Sequence, residues 1–121
     1  MRYWTRKDIM LRLGLSQSAS YRIVGTSRGK NSLISSADLL AILNNARRGA
    51  QPMLAEVPGD IVTGEEMAKE LQCVTARQLK NWTLRLRNPL PHFLLNTHCR
   101  RYQKSAVLKW LDNFTQIVRR G

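Results

Sequence analysis

Apolar positions recur at helical spacing in two successive sets of three short stretches. Ile9, Met10 and Leu13 fall three to four residues apart, which predicts a helix from about Arg6 to Leu13. Gly14 sits where the chain must turn, and Leu15 looks like the apolar plug of that turn. Ser16 then caps a second helix through about Val24, with Tyr21 and Val24 inward and Ser16, Gln17, Ser18, Ser20 and Arg22 on the outer face. The polar stretch Gly25 to Asn31, with Arg28 and Lys30, suits a hairpin or loop, and Leu33-Ile34 a short returning strand. Ser36 is the expected cap of a third helix, Ala37 to about Ala46, whose Leu39, Leu40, Ile42 and Leu43 close a core.

The second set repeats this order. Its first helix is Gly64 to Leu71, Cys73-Val74 form the turn, and Thr75 caps a helix to about Arg85 with Leu79 and Trp82 inward. Asn88-Pro89-Leu90-Pro91 ends helical structure, because proline lacks the donor and restricts its predecessor. His92 to Leu95, Asn96-Thr97 and His98 to Tyr102 read as a β-hairpin. Ser105 starts a last helix with Val107, Leu108, Trp110 and Leu111 apolar. Thr5-x-x-Asp8 and Thr63-x-x-Glu66 are matching capping boxes 58 residues apart, as are Leu13 and Leu71. Aligning Leu39 to Leu43 with Val107 to Leu111 needs 68, so the second hairpin is about ten residues longer. The expected fold class is mainly α with small β-hairpins. The expected division is a first copy over 1–48, a linker over 49–60 and a second copy over 61–121. Copies this small have marginal cores and are expected to pack on each other, with Met53, Leu54 and Val57 of the linker bridging them.

Charge gives this repeat a direction. The 121 residues carry a net charge of +12. Residues 1–50 hold nine Lys/Arg against Asp8 and Asp38, and residues 61–121 hold eleven against four acids, so each copy stands at +7. A basic tail would concentrate its charge in one block, whereas two equally basic folded copies suit a polyanion. The longest apolar run, Ala37 to Leu43, is broken by Asp38 and too short to span a bilayer, so no membrane partner is expected. No secretory segment opens the chain, which points to the cytoplasm and the nucleoid. Cys73 and Cys99 form no Cys-x-x-Cys pair, and with His92 and His98 they match no common zinc spacing; neither a disulfide nor a cofactor is expected. The acids sit at helix starts or alone, and neither histidine has an acid nearby in sequence, so the chain does not read as an enzyme.

The stretch Ile61 to Ala68, then Pro89-Leu90-Pro91, Arg100-Arg101-Tyr102 and Val107-Leu108-Lys109-Trp110-Leu111, resembles the winged helix-turn-helix shared by phage-type excisionases and MerR-like regulators. The first copy is a degenerate version: it lacks the proline exit, the Trp of the second helix and the Arg-Arg-aromatic run. The resemblance implies tandem winged helix-turn-helix units. It also implies sequence-specific binding of double-stranded DNA, in transcription regulation or in DNA recombination as the excisionase of a phage or other mobile element. No long effector-binding helix follows, so effector sensing is not implied. Partners consistent with that role are an integrase or RNA polymerase, and a homodimer or cooperative assembly on DNA. The alternative is a protein-binding antiactivator or scaffold docking on an integrase or polymerase.

Side-chain types then nominate the DNA contacts. Guanine offers two acceptors in the major groove and adenine an acceptor with a donor, so a reading helix needs basic and amide side chains outside. Arg77, Lys80 and Asn81 share one helical face, with Thr75 and Gln78 near its start; an ordinary solvated face has the same composition. In the first copy the equivalents are Gln17, Ser18, Ser20 and Arg22, with Arg28 and Lys30 beyond. Arg85 and Arg87 suit phosphates. Asn96 and His98 at the hairpin tip, with Arg100 and Arg101 on the returning strand, suit the minor groove or flanking phosphates. Strand alternation sends the two arginines to opposite faces, leaving one of them for DNA.

Overall fold

The computed structural model describes residues 3–24, 33–96 and 99–120. Arg28, Lys30 and His98, and the expected first hairpin, lie outside them. The described chain is a mixed fold with six helices and two small antiparallel sheets.

Its first part runs β1 (Tyr3–Trp4), α1 (Arg6–Leu13), α2 (Gln17–Val24), β2 (Ile34–Ser35), α3 (Ser36–Ala46) and β3 (Arg47–Arg48). The second runs β4 (Ile61–Val62), α4 (Gly64–Leu71), α5 (Ala76–Thr83), β5 (His92–Asn96), β6 (Cys99–Gln103) and α6 (Lys104–Arg120). Local chemistry sets these starts. Thr5 and Asp8, Thr63 and Glu66, and Thr75 and Gln78 each exchange side-chain and backbone bonds of 2.8–3.1 Å, closing three capping boxes. Ser16 caps α2. The cap of α3 is Ser35, one residue before the expected Ser36, because the Ser36 hydroxyl instead accepts the Trp4 indole N–H at 2.9 Å. α1 and α4 both end on a left-handed residue, Gly14 at φ 63° and Gln72 at φ 64°. Glycine is needed at the first: a Cβ there would lie 3.0 Å from the Thr63 methyl.

The pairing registers carry the repeat. Trp4 lies opposite Ile34, and Val62 opposite Tyr102, so one strand is displaced by 58 residues and its partner by 68. The two parts are nonetheless interlocked. The four-stranded sheet has the order β3-β5-β6-β4, so the strand that leaves α3 pairs with the second part's hairpin, Arg47 opposite Phe93 and Arg48 opposite His92.

That sheet separates two cores, because successive residues of a strand point to opposite faces. On one side Ile61, Phe93 and Cys99 join Trp4, Ile9, Leu13, Leu15, Ile34, Leu39, Leu43 and Ala46. On the other, Val62 and Tyr102 join Met67, Leu79, Leu90, Val107 and Trp110. Leu54 and Val57 of the linker pack on the first core, and Asn44 holds the Leu54 backbone by two bonds of 2.8 and 3.2 Å. Met53 is exposed and belongs to neither core. Leu40 and Ile42 are only half-buried, Leu108 is exposed, and α5 ends two residues before the expected Arg85. Trp82 and Trp110 close the second core with ring centroids 5.7 Å apart.

Candidate nucleic-acid interface

α5 is fixed on one side and free on the other. Leu79 and Thr83 are buried and Trp82 is half-buried, which turns Arg77, Gln78, Lys80 and Asn81 to solvent. Gln78 is committed in part: with Thr75 it forms the capping box, so these two hold the start of the helix. Beside α5, a cleft of about 460 Å³ runs between its first turns, the start of α4 and strand β6. Thr63, Gly64, Glu65, Ala76, Lys80, Arg100, Arg101 and Tyr102 line it. Lys80 and Arg100 thus bring positive charge into one concave corner from two elements. The Arg100 Nε is buried and has no hydrogen-bond partner among the described residues. An anion entering the cleft would meet the charges of Lys80 and Arg100 from two elements.

The adjacent arginine does different work. Arg101 donates through Nε to the Leu13 carbonyl and through Nη2 to the Gly14 carbonyl, the latter at 2.7 Å. These are end-of-helix acceptors of α1, which lack partners within the helix and sit at its negative pole. Arg101 also lies near Glu66, whose carboxyl is held below the ordinary range chiefly by the Thr63 backbone N–H and hydroxyl, with Arg101 and Lys104 adding to the effect. Its guanidinium therefore fastens β6 to the first part of the chain.

The helix positions that match this cleft in the first part carry different residues. α2 matches α5 at a displacement of 59, so Tyr21 stands where Lys80 does, and Arg6 where Gly64 does at 58. The Arg6 guanidinium lies over the Tyr21 ring, 4.0 Å from its centroid. Gln17, Ser18 and Arg22 are exposed. Ser20, assigned to the outer face from sequence, is fully buried with its hydroxyl on the Gln17 carbonyl at 2.7 Å. It occupies the place of Leu79, a core position that a polar residue disguises. Tyr21, expected inward, is half-buried under Arg6, while Ile23 packs on the core.

Of the remaining candidates, Arg85 is exposed with its guanidinium 5.8 Å from the Trp110 ring centroid, and Arg87 is exposed. Asn96 is half-buried opposite Cys99 at the hairpin end. The contribution of Thr63 to Glu65 to the cleft was missed from sequence. Their capping pattern explained them fully, and only the arrival of β6 makes them a wall. No family model matches the chain, and neither curated protein sequences nor solved structures give a match.

Proposed function

We propose that this chain is a sequence-specific, double-stranded DNA-binding protein of the tandem winged helix-turn-helix kind. It would act in the bacterial cytoplasm as a transcription regulator or excisionase-like directionality factor of a phage or mobile element. The observation that carries the reading is the solvent face of α5, with Arg77, Lys80 and Asn81, next to the cationic cleft that Arg100 enters from β6.

In this reading α5 lies in the major groove. Arg77 spans the two acceptors of a guanine, and Asn81 presents the donor and acceptor that match adenine. Lys80 and Arg100 hold the phosphate backbone in the cleft, and Arg87 adds a phosphate beyond the helix. Arg101 takes no part, since its Nε and Nη2 are engaged at the end of α1 and its Nη1 on the Arg100 carbonyl. The net charge of +12 supplies the long-range attraction and the approach rate.

The test is a duplex selected from a random pool by the full chain, with affinity measured against salt for that site and for scrambled DNA. With roughly 6 to 10 phosphate contacts, the log–log slope is about −5 to −9. Arg77→Ala costs about 1–3 kcal/mol on the selected site and much less on scrambled DNA. A slope weaker than about −2, or equal losses on both DNAs, would overturn the assignment of α5 as reader.

A further inference from the structure

Leu84 is an apolar side chain at the C-terminal end of a polar stripe. It caps the C-terminus of α5 with φ −90° and ψ 0°, so its Cα still follows the helical path. It lies seven residues after Arg77, four after Lys80 and three after Asn81, the spacings that share one helical face. Leu79 and Thr83 face the opposite way into the core. Leu84 is 59% exposed. Nor is it a stray residue on a loose end. Its N–H donates to the Asn81 carbonyl at 3.1 Å, and the loop beyond is held by Leu90 N–H on the Trp82 carbonyl at 3.0 Å and the Trp110 indole N–H on the Asn88 carbonyl at 3.2 Å.

A helix face that otherwise offers donors and cations has therefore placed one leucine in line with them. The major groove is lined by hydrogen-bonding groups and has one apolar feature, the 5-methyl of thymine. We infer that Leu84 is a specificity-determining residue that packs on a thymine methyl at one end of the site read by α5. The inference rests on the duplex-binding reading above. The charge around Leu84 favours this occupant over an apolar protein surface. A protein patch of that kind needs a contiguous apolar area, whereas Leu84 and the exposed Leu86 stand among the exposed Lys80, Asn81, Arg85 and Arg87.

The experiment uses the full chain and its selected duplex, with each thymine replaced in turn by deoxyuridine, which removes only the methyl. Wild-type protein is expected to lose roughly fourfold in affinity at one thymine, the worth of one methyl-sized group withdrawn from an apolar contact. Leu84→Ala binds the thymine duplex less tightly and shows no further loss at that uracil. Leu86→Ala, which removes a fully exposed leucine off the stripe, keeps the uracil loss. Thermal unfolding confirms that both variants fold. The inference is overturned if Leu84→Ala suffers the same uracil loss as wild type, or if no thymine in the site responds to methyl removal. Failure of the wild-type protein to select any duplex instead overturns the DNA-binding reading beneath it.

Discussion

Replacing Arg101 by methionine removes a guanidinium while keeping an apolar stem of similar length. The change strips the Leu13 and Gly14 carbonyls at the end of α1 of their donors, from a strand 87 to 88 residues away in sequence. Hydrogen bonds to a charged group contribute about 1.5–3 kcal/mol each. The Gly14 carbonyl lies at the surface and regains water while Leu13 is buried, so about half of the summed value, near 2 kcal/mol, is expected to be lost. For a chain of this length 1 kcal/mol moves the midpoint by about 4 °C, giving a drop of about 8 °C. Arg100→Met is the matched comparison. Its buried Nε has no acceptor among the described residues to lose, so stability stays within about 0.5 kcal/mol, while duplex affinity falls and the salt slope weakens by about 0.9. Thermal unfolding followed by circular dichroism, together with duplex titration, separates the two. A midpoint for Arg101→Met within about 2 °C of wild type, or an equal drop for Arg100→Met, refutes the assignment of a clamp and a free arginine to these neighbours.

Expression of residues 58–121 alone should give a chain that aggregates or melts far below the full protein, because Ile61, Phe93 and Cys99 lose the core they complete. Each fully buried side chain of this kind is worth about 1.5–3 kcal/mol, and a fragment that melts with the full chain would show the shared core to be dispensable. Stability should also fall with acid near His92. Burial holds its pKa below the ordinary value, against the bond to the Leu90 carbonyl, with Arg100 and Arg48 lowering it further. The unfolded chain then binds the proton more readily, so stability is full above the ordinary histidine pKa and declines as pH drops below it towards the depressed folded value. Urea unfolding from pH 8 to 5 should show that decline in wild type and a flatter profile in His92→Asn; parallel profiles would remove His92 as its source.

What the sequence disclosed was local. Capping boxes at Thr5 and Thr63 depend on residues three apart, and the displacements of 58 and 68 reappear unchanged in the strand registers. The outward turn of Arg77, Lys80 and Asn81 follows from Leu79 and Trp82 in the same helix. What stayed hidden depends on which distant segment arrives where. Arg47-Arg48 merely closed the expected first copy and is a sheet edge because β5 lies beside it. Alternation separated Arg100 from Arg101, yet only the position of α1 decides which is engaged. Ser20 is polar and sits in the core because its hydroxyl is satisfied within its own helix, a solution that hydropathy does not register.

The shared sheet also orders events during synthesis. α1, α2 and α3 have all left the peptidyl-transfer centre once residue 46 is made, but their core is completed by Phe93 and Cys99. At ordinary translation rates those residues follow about 3 to 10 s later. Throughout that interval Ile9, Leu39 and Leu43 have no hairpin to close over them. The amino-terminal half is thus born as an unfinished surface, matured by the strands of the half that follows, and a ribosome that stalls between the two leaves a sticky nascent chain rather than a small finished domain.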